Sequence, residues 1–481
     1  MLRQVVLSIC LIYAAFFFIR SVRNSPHPEE VVGLKQRPQN EPTDLFVSSA
    51  YYLEPNETEN VHIVRLIAMA PQSPALPPIF CSNQLDDRVE ARVEMMGGAK
   101  MCRWWNLLID CPFQSPVSRL RLGEKGTIEI PIRHPAKKNH NVVVCFARLF
   151  TFENWRVALT AIELYLHHGV DFFHLPIISV LRDLHTIFNH YEQLGIVRLA
   201  DGVVMPSLIN GEDPNRETEF FNQIVANTEC LYEYRRSEFV IFADIDDVLI
   251  PRHFRSIHDE LIGLSRWFPR AASFEFMRNG GTWIKFGRDP KEFNLTDTLE
   301  HISFVGLGVH VPGKTAVIPQ RTRQGLMHRP NRERTELLKG FEHVQLDEKE
   351  ANFLHLRGYV LDGNWTHPFD SYVTEIDYSG VQAAFSKRIG GNSKVKRAFR
   401  SLPLRNFYYE AMEACYLELG SRLHRGEQFC PNPLDCGPPP SSHLPPCIRQ
   451  QNEFEKKRVN EQLTVHQRAR ISYFESNDCL L

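Results

Sequence analysis

The sequence predicts an α/β fold: a mostly parallel sheet flanked by helices, with a small β-rich segment before it and a signal-anchor helix at the N-terminus. Three observations carry this expectation. From Asn141 onward, short apolar runs of strand length alternate with amphipathic helical stretches. The chain has 481 residues, 43% hydrophobic and 23% charged, which is enough for a sizeable core and excludes a disordered or collagen-like chain. Val5–Ile19 carries no charge and is bracketed by Arg3 and Arg20. The 55 basic residues balance 57 acidic ones, a net charge of −2, so the electrostatic footprint of a nucleic-acid binder is missing and no nucleic-acid partner is expected.

In order along the chain, residues 1–4 read as a cytoplasmic tail and 5–23 as the anchor. The uncharged run is shorter than the roughly 20 residues a helix needs to span a bilayer core, but Met1, Leu2 and snorkelling arginines extend it. A cleaved signal peptide is the alternative, against which Ser21-Val22-Arg23 makes a poor cleavage site. Residues 24–43, rich in Pro, Glu, Gln and Asn, form an expected stem. Residues 44–138 read as a β-rich accessory segment, with β-like runs at Val61–Ala68 and Thr127–Ile132. Sequons at Asn56, Asn294 and Asn364, with ten cysteines beyond the anchor and no C-x-x-C pair, point to an oxidising lumen and disfavour structural zinc. Spacing leaves the cysteine connectivity open.

Residues 139–391 form the expected catalytic domain. Val142–Phe146 is a buried strand, followed by a helix over Phe152–His168 with Trp155, Leu159, Ile162 and Leu166 on one face and Gly169 as its stop. Asp171–Leu175 is a second strand; Leu184, Ile187, Phe188 and Tyr191 mark a second helix, and Ile196–Leu199 a third strand. A helix over 217–236 precedes a fourth strand, Glu238–Ala243, which delivers Asp244-Ile245-Asp246-Asp247 at its carboxyl end. Ligands of such sheets bind beyond those ends. Ala271–Met277 and Gly313–Ile318 look like further strands. Residues 392–481 read as a helical, then Cys- and Pro-rich, extension.

In extended backbone Asp244 and Asp246 would project to one side, a pair of hard oxygen ligands suited to Mg²⁺ or Mn²⁺ holding a nucleotide diphosphate. The bland reading of a lone D-x-D is a solvated acidic turn. The run Val240–Leu249 also resembles the first motif of haloacid-dehalogenase-like phosphatases, with Asp244 as nucleophile and Asp246 as acid/base. In that family the motif opens the sheet and a paired-acid motif follows later; here three βα units precede it and no Asp-Asp pair follows Asp247.

Several segments together resemble glycosyltransferase family 92, whose members include nematode β-galactosyltransferases. They are Val143-Val144-Cys145-Phe146-Ala147 with Trp155; His168-Gly169-Val170; Gln223-x-x-Ala226-Asn227-x-x-Cys230; Phe242-x-Asp244-Ile245-Asp246-Asp247-x-Leu249-x-Pro251; and, later, Pro319, His328 and His355-Leu356-Arg357. The chain departs from the family's usual residues at Thr228, Asp247 and Leu356. The resemblance implies a GT-A-like fold and inverting, Mn²⁺-dependent transfer of a hexose, galactose being expected, from a UDP-sugar donor to a glycan acceptor. It implies metal ligation by Asp244, Asp246, Asp247 and His355, with His328 as second choice to His355, and donor contacts from Ala147, Arg148, Asp244 and Arg357. For His355 the competing reading is a core histidine, and for Arg148 a surface charge. Glu275, or else Asp362, is the candidate base for the acceptor hydroxyl. The expected whole is a single-pass type II membrane protein of the Golgi lumen, held to the membrane by its anchor; an inactive glycan-binding relative is the non-enzymatic alternative.

Overall fold

The structure is a computed structural model that describes residues 42–480 apart from 56–59, 74–75, 98–100, 124–125, 127, 209–210, 284–289, 301, 306–312, 326–327, 329–336, 348–349, 358–376 and 437–443. The expected tail, anchor and nearly all of the stem lie outside the described residues, as do Asp362, Asn56 and Asn364. Among the described residues no helix is long and apolar enough to cross a membrane.

The central sheet is assembled from β1 (Val142–Phe146), α1 (Trp155–His167), β2 (Phe172–Ile177), α2 (Arg182–Gln193), β3 (Val197–Asp201), α3 (Gln223–Glu233), β4 (Phe239–Ala243), β5 (Ala271–Phe276), β6 (Lys314–Val317) and β7 (Glu342–Gln345). Its order is β3-β2-β1-β4-β6-β5-β7. The first four strands are mutually parallel, while β6 runs antiparallel to both neighbours. Strand alternation sorts side chains onto two faces. Val142, Val144 and Phe146 join the cluster under α1 and α2, whereas Val143 and Cys145 pack with Cys230 and Leu231 of α3. A disulfide between Cys145 and Cys230 ties β1 to α3 on that second face.

Strand order reverses at β1, where the chain first winds outward to β3 and then returns on the other side to β4. This switch point opens a crevice beyond the strands' carboxyl ends. Phe146 pairs with Ala243, and Ala147 N–H donates to Ala243 O at 2.8 Å, so Ala147-Arg148 and Asp244 emerge side by side.

A second seven-stranded sheet runs Ser179–Leu181, Cys447–Arg458, Leu463–Ser476, Thr43–Leu53, His62–Pro71, Trp104–Phe113, Arg92–Met95. The C-terminal residues thus form a long hairpin that pairs in parallel with Thr43–Leu53, where the sequence suggested only helix and Cys/Pro-rich tail. All ten cysteines from Cys81 onward are bonded: Cys81–Cys111, Cys102–Cys430, Cys145–Cys230, Cys415–Cys436 and Cys447–Cys479.

The helix expected over 217–236 begins only at Gln223. Ahead of it lie two 3₁₀ turns, in which Phe220, Phe221 and Asn222 stand at φ of 40°, 54° and 66°. Three successive non-glycine residues in the left-handed region are costly. The Arg148 guanidinium holds this kink, donating to Phe220 O at 2.6 Å and lying 4.7 Å over the Phe221 ring.

Candidate active site

A cavity of about 430 Å³ opens at the switch point. Ala147, Arg148, Asp244, Asp246 and His355 all border it, together with Gln223, Arg278, Lys314 and His328. Sequence reading placed the first five here; the structure adds the two cations.

The acidic segment is not extended. Asp247 N–H donates to Asp244 O at 2.9 Å, closing a turn, so the two-residue spacing does not by itself align Asp244 with Asp246. The turn hands the chain to Asp247–Ile250, the edge of a four-stranded sheet in which it pairs with Asn352–Arg357, itself beside Arg278–Trp283 and then Ile302–Val305. Asp247 is in register with His355, and His355 with Gly280. Residues distant in sequence are thereby brought to one point.

There, His355 Nε2 lies 2.9 Å from Asp246 Oδ2. Arg278 Nε donates to Asp247 Oδ1 at 2.6 Å, and Arg278 Nη2 to His355 Nε2 at 2.9 Å. Lys314 Nζ donates to Asp244 Oδ2 at 2.7 Å and stands 3.6 Å from Asp247 Oδ2, which has no hydrogen-bond partner among the described residues although Asp247 is fully buried. Burial works to raise the Asp244 carboxyl, but Lys314 and Arg278 outweigh it and hold that group below the ordinary carboxylate range. For Asp246, burial is likewise outweighed by His355. At Asp247 burial prevails, and its carboxyl is raised despite Arg278 and Lys314.

This donor set fits a divalent cation. One oxygen or nitrogen each from Asp246, Asp247 and His355 lie within 4.8 Å of one another. Two carboxylates with one imidazole suit Mn²⁺ better than Mg²⁺, which prefers oxygen alone. The buried, orphaned Asp247 Oδ2 is an acceptor that such an ion would satisfy.

Other expected residues fall differently. Arg148 is not a surface charge: it is buried, donates to the carbonyls of Gly202 and Phe220, and burial lowers its pKa to about 9. His328 Nδ1 donates to Gly313 O at 3.0 Å, and burial, aided by Lys314, lowers its pKa to about 4. Glu275 lies within β5 with His343 Nε2 at 3.2 Å from its carboxylate, and it does not border the cavity. Arg357 ends the strand that carries His355; its side chain lies outside the described residues.

One wall was not anticipated. The helix Tyr409–His424 presents Tyr409, Met412, Glu413, Tyr416 and Leu417 to the cavity, the i, i+3, i+4, i+7, i+8 stripe of a single helix face. Glu153 seats this helix, its buried carboxylate accepting from the backbone N–H groups of Phe407, Tyr408 and Tyr409. Helical periodicity was legible there; its neighbourhood was not.

The site is thus an acidic, cation-lined crevice at the switch point of a mostly parallel sheet. The sequence profile of glycosyltransferase family 92 matches residues 140–384. The chain belongs to glycosyltransferase family 92 and is therefore a glycosyltransferase. It is similar to curated family 92 proteins of Caenorhabditis elegans: one is 26% identical over 407 residues, covering 79% of this chain and 76% of the relative. A second is 24% identical over 499 aligned residues, covering 96% and 95%, and a third is 22% identical, covering 90% of each. Membership sets aside the phosphatase-like reading of Asp244 and Asp246.

Proposed function

We propose that this glycosyltransferase moves a hexose, galactose being the expected one, from a UDP-sugar to a glycan acceptor with inversion and in a Mn²⁺-dependent manner. The observation that carries the proposal is the convergence of Asp244, Asp246 and His355 with Lys314 and Arg278 at one switch-point crevice. Bound between Asp246, Asp247 and His355, Mn²⁺ would supply Lewis-acid stabilisation of the diphosphate. Lys314 and Arg278 add fixed positive charge where negative charge develops on the leaving group. Ala147 and Asp244, adjacent at the strand ends, border the place of the nucleoside, and Arg148 shapes it by holding the 220–222 kink.

Inversion requires a carboxylate that takes the acceptor hydroxyl's proton as its oxygen attacks the anomeric carbon and the diphosphate departs with the bonding pair. Of the carboxylates bordering the cavity, Asp244 and Asp246 face cations and His355, and Glu153 serves the backbone of 407–409. Glu413, half-buried, borders the cavity from the helical wall, away from the Asp244–Asp247 segment in sequence, and we assign it the role in preference to Glu275, which does not border the cavity. Glu413→Gln should keep UDP binding and cut transfer at least about a hundredfold, the scale of general-base catalysis; undiminished transfer would return the search to Asp362.

A single-pass type II arrangement in the Golgi lumen belongs to the same proposal. It is supported by the apolar run Val5–Ile19, the five disulfides and the exposed Asn294 of a sequon. The deciding experiment measures UDP release from a panel of UDP-sugars with and without Mn²⁺, for the wild type and for Asp246→Asn. Metal-dependent release lost in the variant supports the reading. A folded wild type that binds donor yet releases nothing with any glycan offered would favour a glycan-binding protein.

A further inference from the structure

The Arg278 guanidinium stands where the expected metal ligands converge. It bonds Asp247 Oδ1 at 2.6 Å and His355 Nε2 at 2.9 Å, and Nη2 lies 4.0 Å from Asp244 Oδ2. Its side chain is only 12% exposed, and that of Lys314, on β6 of the central sheet, is 3% exposed. The site therefore holds a built-in cation.

His355 Nε2 exposes a conflict. Arg278 Nη2, a donor, and Asp246 Oδ2, an acceptor, both lie 2.9 Å from it. A ring nitrogen carries either a proton or a lone pair. If Nε2 is protonated it satisfies Asp246 and confronts a guanidinium N–H; if it is bare it satisfies Arg278 and confronts a carboxylate. One contact is unfavourable either way. A divalent ion taking that lone pair resolves the conflict with Asp246, but the same lone pair cannot then accept from Arg278.

We infer that the Arg278 guanidinium and the divalent cation are alternative occupants of the Asp246/Asp247/His355 nest, and that the displaced guanidinium joins Lys314 in holding the donor's diphosphate. The inference rests on the metal-dependent donor site proposed above. It makes metal binding weak while no nucleotide is present, because the ion must take the His355 lone pair from a buried hydrogen bond and sit beside a guanidinium of like charge. With a nucleoside diphosphate in the cavity that Arg278 and Lys314 both border, the guanidinium gains phosphate oxygens as new acceptors. Ion and nucleotide then favour one another through the exchange.

The test measures free Mn²⁺ by electron paramagnetic resonance in titrations of the whole lumenal chain without nucleotide, and UDP binding by calorimetry with Mn²⁺ saturating. Arg278→Met should bind Mn²⁺ at least tenfold more tightly than the wild type, yet bind UDP at least tenfold more weakly. Arg278→Lys keeps the charge that Asp247 needs but cannot span both Asp247 and His355; it covers the case in which the methionine variant does not fold, and should tighten Mn²⁺ severalfold. A merely structural arginine would weaken both ligands, and that result, or unchanged Mn²⁺ affinity in the folded variants, overturns the exchange. If wild type and variants bind UDP but no Mn²⁺ under any condition, the metal reading fails and the exchange with it. If the wild type binds neither, it is the donor site itself that fails.

Discussion

At Asp247 and Arg278 two charges share a space with little access to water, one carboxylate oxygen bonded and the other facing Lys314 from 3.6 Å. Removing one member of a buried pair strands the other, at a cost of about 3–5 kcal/mol. Asp247→Ala should therefore lower the midpoint of thermal unfolding steeply, while Asp246→Asn, whose side chain is about one-third exposed, should leave it near the wild-type value and abolish the Mn²⁺-dependent turnover proposed above. Equal midpoints for the two would refute this difference between a fully buried and a part-exposed aspartate. Asp244, Asp246, His355, Ala147 and Arg148 were legible in the sequence because each follows or occupies a short strand or a recognisable motif. Arg278, Lys314 and Glu413 were not. Their place in the site depends on pairings such as Asp247 with His355 and His355 with Gly280, which no local pattern encodes.

Among the elements, β1 and β4 were readable because they are continuous apolar runs, and α2 because it shows a single apolar face. The C-terminal hairpin was hidden by its polarity. In Cys447–Arg458 only Cys447 and Gln450 are buried, so the strand has no hydrophobic alternation to betray it. It nonetheless covers strand edges that would otherwise be open. A chain ended at Pro446 should aggregate or fail to fold, as size-exclusion chromatography would show; a monodisperse, cooperatively melting product would contradict this. The helix Tyr409–His424 is tethered by Glu153, and charge-assisted hydrogen bonds of this kind contribute about 1.5–3 kcal/mol each. Glu153→Ala should loosen the cavity wall, raising KM for the acceptor more than that for the donor. The motif residue Asn227 and its neighbour Thr228 also have a local packing role. A Cβ on Gly325 would lie 2.5–2.6 Å from their backbone and Cβ atoms, so Gly325→Ala should destabilise the protein by about 1–3 kcal/mol in denaturant titrations.

For the molecule as a whole, buried histidines set the acid limit. Burial lowers His168 to about 3 and His174 to about 4 from an ordinary 6.5. The unfolded chain therefore takes up protons at these sites in a range where the folded chain does not. Their contribution is complete above the unfolded value and is lost as pH falls from about 6.5 toward 4. The two together should remove roughly 3 kcal/mol between about pH 6.5 and 5, and His174→Gln should flatten that slope in melts followed across the range. A wild-type midpoint independent of pH there would contradict the assignment.

The parallel pairing of Thr43–Leu53 with Leu463–Ser476 also governs how the protein comes to exist. At roughly 5–20 residues per second, the ribosome finishes Leu463 some tens of seconds after Thr43. Throughout that interval the first strand waits without its neighbour, and Cys102 waits for Cys430. Closure of this sheet must therefore wait for the distant hairpin, with one edge of Thr43–Leu53 and the Cys102 thiol left without their partners in the meantime, although the other edge already has His62–Pro71 to pair with.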